Sequence, residues 1–206
     1  MADYDASLVK WYENQMPKVA KKLALKGLDT PPLHIGGKVK IFSPRIPYSP
    51  ADGEDLTIPR VCCSLALKNC IIGARHNFRS LDIQQRIHIY AFDERSVVQP
   101  SVDVTKEPNR AGEVWIVPHR MANWEIKPKV LGEMRLVMLS HDSSEFMYAV
   151  QVGETIAFDS SKKLEAGQTY LIRITIKMGE VTNVTDPELT SVDHYHGALN
   201  AYTVAS

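Results

Sequence analysis

Several residue groups in this chain have the types and spacing for chemistry. In Asp193-His194-Tyr195-His196, two imidazoles stand one residue apart, a spacing that lets alternate strand positions converge on one metal ion. No cysteine or further histidine lies at a companion spacing. The cluster is therefore expected to be part of a polar, aromatic tail, and no metal or cofactor is expected. Ser140-His141-Asp142-Ser143-Ser144 holds the residue types of a hydrolase triad. Triads are assembled from separated segments, whereas neighbouring Asp and Ser side chains hydrogen-bond their own backbone, so the stretch reads as a turn. Cys62, Cys63 and Cys70 sit in apolar strand-like sequence, where thiols are inert. Gly36-Gly37-Lys38 is a fragment of a phosphate loop without the rest of its pattern. Together these groups exclude the common enzyme signatures, and a non-enzymatic protein is expected.

The remaining chemistry lies on strand faces. In Arg86-Ile-His-Ile-Tyr-Ala-Phe92, alternation sends Ile87, Ile89 and Ala91 one way and Arg86, His88, Tyr90 and Phe92 the other. The first set is a core face. The second combines cationic, imidazole and aromatic groups, which suit splayed nucleobases: rings stack on bases while arginine meets phosphate. Lys38, Lys40 and Phe42 oppose Val39 and Ile41 in a similar way, and Arg173, Thr175 and Lys177 oppose Ile172, Ile174 and Ile176. The plain alternative is that such basic residues are solvated or guard an edge, and that Tyr90 and Phe92 pack beneath a loop or helix. The basic faces matter for binding if they are neighbours on one surface.

The elements that must position these groups are mostly strands. From Gly132 to Val184 the chain reads as short strands joined by tight turns. They are Gly132–Leu139, Phe146–Val152, Thr155–Phe158, Tyr170–Lys177 and Val181–Val184, with turns at His141–Ser144, Gly153-Glu154 and Gly179. Both faces of Met134–Leu139 are largely apolar, as in a central strand buried on both sides. Upstream, residues 38–42, 61–67, 86–92 and 113–117 have strand character, and Lys68-Asn69 reads as a turn into Cys70-Ile71-Ile72. Residues 29–37 carry Pro31, Pro32, Gly36 and Gly37 and read as a linker. Residues 43–53 and 97–112 read as proline-containing loops. Residues 118–129 resist assignment.

The N-terminal segment carries Leu8, Trp11, Tyr12, Met16, Val19 and Leu23 at helical spacing, with acidic residues first, lysines last and Gly27 at the end. It predicts an amphipathic helical arm over 1–28, kinked at Pro17. The domain organisation expected is this arm, a linker over 29–37, a β-rich domain over 38–186 and a tail over 187–206.

Bulk properties fit a globular domain: 206 residues, 44% hydrophobic and 23% charged, with 24 basic and 24 acidic residues giving zero formal net charge. Totals therefore do not indicate a strongly basic nucleic-acid binder, although a local basic face suffices. Three clustered cysteines are not a disulfide framework and suggest reduced thiols in an intracellular, cytoplasmic setting. No run is long and apolar enough for a membrane span, and no membrane partner is expected.

The fold expected is mainly β, a Greek-key barrel (OB-like) or β-sandwich with an N-terminal helical arm. The function expected is non-enzymatic binding of single-stranded nucleic acid. Arg86, His88, Tyr90 and Phe92 form the platform, Lys38, Lys40, Arg173 and Lys177 line the backbone path, and Phe42, on the face of Lys38 and Lys40, is a further binding residue. The alternative is a self-assembling structural protein, such as a viral or phage capsid, tail or lattice subunit. A homo-oligomer formed through the N-terminal helix and C-terminal tail is expected.

Overall fold

The computed structural model describes residues 14, 24–47, 55–74, 86–93, 96–99, 112–117, 125–139 and 144–190. These residues form a mainly β structure. The strands are β1 (Ala24–Gly27), β2 (Leu33–Gly36), β3 (Val61–Ser64), β4 (Arg86–Ala91), β5 (Ser96–Gln99), β6 (Glu113–Ile116) and β7 (Lys129–Leu139). They continue as β8 (Glu145–Val152), β9 (Ile156–Ala157), β10 (Lys163–Leu164), β11 (Thr169–Lys177), β12 (Glu180–Val184) and β13 (Glu188–Thr190), and one short helix, α1 (Leu67–Gly73), follows β3.

Eleven strands join one antiparallel sheet in the order β1-β5-β6-β3-β2-β4-β7-β8-β11-β12, with β13 also on β11. The path ends on β1 and β12, so the expected barrel is not closed among the described residues. β9 and β10 form a separate hairpin.

The alternation predicted for β4 holds on its core side. Ile87, Ile89 and Ala91 are buried, and they join Leu33 and Ile35 of β2, Met134 of β7, Phe146, Tyr148, Val150 and Val152 of β8, and Tyr170, Ile172 and Ile174 of β11. We call this face A. Leu67, Cys70 and Ile71 of α1 close it, together with Ile156, Phe158 and Leu164 of the β9–β10 hairpin. The helix packs on β2 and β3 and also on β12, which lies at the far end of the sheet path, so the sheet curls around its helix. At seven residues α1 is too short to stand alone. It has no side-chain N-cap, but the Phe158 carbonyl accepts from the Lys68 amide at 2.8 Å and supplies one partner that the helix start requires.

A second core lies on the opposite face, which we call face B. Val61 and Cys63 of β3, Val114 and Ile116 of β6, and Tyr90 and Phe92 cluster there, with Leu28, Phe42, Leu65 and Ile126 packed around them.

Several expectations are corrected. Ala24–Gly27, expected as the end of the helix, is strand β1 paired with β5. Asn14, the one described residue before it, is helical. The expected linker contains β2, which is buried between β3 and β4; Gly36 and Gly37 end this strand rather than mark a whole loop. Residues 38–42 are not a strand. They cross face B as an extended strap, leaving Val39 and Ile41 exposed at 37% and 43%, with one bridge from Phe42 to Ile126. The expected turn at Lys68-Asn69 lies inside α1, whose buried Leu67, Cys70 and Ile71 keep a helical spacing. The expected loop 97–112 begins inside β5, and the tail begins with β13. The rest of the arm and residues 191–206, with His194 and His196, lie outside the described residues, as do His141 and Asp142.

β7 runs longer than expected and carries two irregularities. Ile89 pairs with Gly132 but Tyr90 pairs with Val130, so Leu131 is an extra residue. Leu136 pairs with Tyr148 but Met138 pairs with Met147, so Val137 is another. The first bulge turns Leu131 into the face A core, where it is 6% exposed. Although β7 is central, its face B is not dry: Glu133 and Arg135 stand there and form an ion pair.

Candidate polyanion-binding face

Ladder register decides which predicted site residues share a surface. Arg86 of β4 is directly opposite Arg135 of β7, which is opposite Ala149 of β8, which is opposite Leu171 of β11. The next row runs His88, Glu133, Gln151, Thr169. Directly paired residues project from the same side of a sheet. Arg86 and His88 therefore share face B with Arg135 and, one step farther along β11, with Arg173. Three strand spacings separate β4 from β11, about 14 Å. Lys177 continues the Arg173–Thr175 alternation on the same side and is exposed.

Face B changes character along the sheet. Toward β4, β7, β8 and β11 it is mixed: Arg86, Gln151 and Arg173 are exposed and His88 is half-buried, with Val130, Met147, Ala149 and Leu171 on the same side. Arg173 faces Glu145 across 3.4 Å, a largely solvated pair. Toward β2 and β3 the same face is covered by the strap, and here the sequence reading of the platform fails. Tyr90 and Phe92 are both fully buried at 0% exposure. Their rings are packed beneath Phe42, with centroids 5.2 Å from it in each case and edge-to-face geometry. Neither ring is available to a nucleobase in this arrangement.

Phe42 is held by three neighbours, because His34 also meets it edge-on at 5.1 Å. His34 belongs to β2, opposite Tyr90. Its Nδ1 donates to the Cys62 carbonyl at 2.8 Å. Burial pushes the His34 pKa below the ordinary imidazole range; the bond to Cys62 opposes that shift and the nearby Arg45 charge reinforces it. The ring is thus a neutral member of an aromatic cluster. Sequence reasoning passed over His34 because it lies among turn-forming residues; its one-residue alternation with buried Leu33 and Ile35 was the available signal.

The strap is anchored by the Tyr90 hydroxyl, which accepts from the Val39 amide at 2.8 Å and donates to the Gly37 carbonyl at 2.7 Å. Lys38 and Lys40 stand exposed on this strap. Of the expected basic groups Arg86, Arg173 and Lys177 share face B, while Tyr90 and Phe92 lie buried under the strap. His88 lies between the two regions, with its ring 6.0 Å from that of Tyr90.

The thiols fit their expected inert character. Cys63 and Cys70 are buried and Cys62 is half-buried, all of them free. Burial raises each pKa, to about 12 for Cys70. Among the described residues no group of histidine, cysteine and carboxylate side chains could hold a metal ion, and no helix is long and apolar enough to cross a membrane.

A second buried polar group lies at the other end of the sheet. Arg60, 2% exposed, places its guanidinium 4.1 Å from the centroid of the Trp115 ring and donates to the carbonyls of Asp55 and Ile58. Trp115 donates its indole N–H to Glu113 at 2.7 Å. This group ties the approach to β3 onto β6 and faces no open surface.

Compared with protein-family models, curated proteins and solved structures, the chain matches none.

Proposed function

We propose that this protein is a non-enzymatic binder of single-stranded nucleic acid, and that the strand lies across the mixed part of face B. The observation that carries this reading is the row of arginines. Arg86 and Arg135 stand directly opposite each other on adjacent strands, an arrangement that costs stability when nothing anionic is near. Glu133 compensates one of them. Arg86 has no acidic partner among the described residues and is exposed, Arg173 and Lys177 extend the basic row, and Lys38 and Lys40 are exposed on the strap. A phosphate backbone supplies the missing negative charge. The zero net charge of the chain limits long-range attraction, so affinity rests on this local face and falls as salt rises. This use of a sheet face resembles that of oligonucleotide-binding folds and does not require a closed barrel.

The test is fluorescence anisotropy with a labelled oligo(dT) strand at low salt. Binding is expected, with Arg86→Glu and Arg173→Glu each weakening it by roughly tenfold, the loss of a charged contact plus added repulsion. No binding at low salt, or binding indifferent to both substitutions, overturns the reading.

A second reading, a self-assembling structural subunit such as one from a viral or phage capsid, tail or lattice, is favoured by a different observation. Met178, in the turn after β11, is fully exposed at 102%, and Leu189 of the marginal strand β13, opposite Tyr170 at the other end of β11, is 65% exposed. Apolar side chains at such a margin suit contact with another copy. Under this reading sedimentation velocity shows species larger than a monomer at micromolar concentration, and Leu189→Lys reduces them. A concentration-independent monomer counts against it.

A further inference from the structure

The strap over face B has the properties of a removable cover. It runs from Gly37 to Phe42, next to a pair of glycines, Gly36 and Gly37, and a side chain added at Gly37 would meet nothing within 4 Å. Its own aliphatic residues, Val39 and Ile41, are spent on solvent. Among the described residues its ties are the two bonds to the Tyr90 hydroxyl, the paired backbone bonds between Phe42 and Ile126, both 2.8 Å, and the Phe42 ring itself; three residues on, the paired Arg45–Arg60 backbone bonds pin the chain again. That ring is seated among His34, Tyr90 and Phe92 at nearly equal centroid distances of 5.1, 5.2 and 5.2 Å. The ring seat adjoins His88, which lies between it and Arg86 on β4, and Lys38 and Lys40 sit on the strap that covers it.

We propose that Phe42 occupies a nucleobase site of its own protein. When a single strand lies along the arginine row, the strap bows outward between the glycine pair and the Arg45–Arg60 bridge. One base then takes the place of the Phe42 ring among His34, Tyr90 and Phe92. This rests on the nucleic-acid reading of face B and goes beyond it, because it makes binding two-stage. Phosphate contacts form on the open face, and base stacking follows at the cost of the strap's ties. A planar aromatic ligand is required. A sugar-phosphate chain without bases satisfies the first stage and not the second.

Two measurements test it. Tyr90→Phe keeps the ring and removes both hydroxyl bonds, so it is expected to tighten oligo(dT) binding by roughly fivefold or more, since two hydrogen bonds no longer hold the strap down. Binding of an abasic strand of equal length is expected to stay unchanged. Hydrogen exchange in the wild-type protein provides the second readout, independent of any variant. Saturating oligo(dT) is expected to speed exchange at the Phe42 and Ile126 amides, and the abasic strand is not. If oligo(dT) binds through Arg86 yet leaves those amides unchanged or slower, or if Tyr90→Phe binds no tighter, the base site is overturned while the phosphate face stands. If neither wild type nor Tyr90→Phe binds any strand at low salt, both fall.

Discussion

His34 and Arg60 show how single side chains set the stability of this fold. His34 is kept neutral by enclosure, with its folded pKa below that of the unfolded chain. Below the unfolded value, about 6.5, the unfolded chain takes up a proton that the folded chain resists, so stability present above that pH is lost as pH falls. Chemical denaturation at about pH 7.5 and about pH 5.5, on either side of that value, is expected to show a larger drop for wild type than for His34→Gln, which does not titrate. Equal drops would remove His34 from the account. Arg60→Lys keeps the charge but loses the planar stack on Trp115 and the Nη1 that donates to both the Asp55 and Ile58 carbonyls. A loss of about 2 kcal/mol is expected in urea unfolding. At this scale the sequence revealed which residues share a face and not which face is covered. Arg86, His88, Tyr90 and Phe92 do project from one side, but burial of the last two comes from Phe42, which is distant along the chain. No local pattern encodes that contact.

Among the elements, the long strands were legible because their alternation is regular. β8, β11 and β12 appear within a residue or two of their predicted bounds, and each inward position on β8 from Phe146 to Val152 is buried. β2 was hidden by the prolines and glycines that bound it, and α1 by its length, since seven residues give less than two full turns of periodicity. β7 shows a third cause: its bulges interrupt the alternation, so a register carried past Leu136 without a break does not match the ladder to β8.

Two elements carry direct tests. A Cβ at Gly132 would collide with the Gln151 carbonyl oxygen and lie 2.9 Å from the Val152 Cα, both backbone atoms of the adjacent central strand. Gly132→Ala is expected to destabilise by about 1–3 kcal/mol, the range for overpacking, measured as a lowered denaturation midpoint. The β11–β12 hairpin turns on Met178 and Gly179 with φ of 51° and 78°. Positive φ at both central positions marks a type I′ turn, which asparagine followed by glycine favours. Met178 makes this turn at a steric cost while fully exposed. Met178→Asn is expected to raise stability by about 1 kcal/mol, read from thermal unfolding. A neutral or destabilising result would mean that Met178 makes contacts that offset its strain.

For the whole molecule, face A and face B divide the labour. Face A buries one continuous core beneath α1 and the β9–β10 hairpin, while face B is half core and half mixed surface. The composition made a mainly β chain readable, but closure was not, because it depends on how the sheet ends meet. Here the curl is closed by a helix, with α1 reaching β12. The molecular-scale prediction concerns salt. With a balanced total charge, only local phosphate contacts release counterions, so the slope of log affinity against log salt is expected to be shallow. Each arginine removed from face B should lower it by about one unit. A slope unchanged by Arg86→Glu or Arg173→Glu would place the contacts elsewhere.

The bulges at Leu131 and Val137 have a consequence for how this chain can change in length. Leu131 has no partner on β4 and Val137 none on β8, but the Leu131 carbonyl accepts from the Gly153 amide at 2.7 Å and its side chain is in the face A core. Deleting either one joins two segments that are already in register, and Glu133 and Arg135 keep their outward phase. Val137 acts as slack beside the stretch whose orientation matters most, whereas Leu131 is tied in by its buried side chain. Among one-residue deletions selected for folding, β7 is expected to accept loss of Val137 and to refuse loss of Leu131. The bulge-free run of β8 from Glu145 to Ala149 is expected to refuse them.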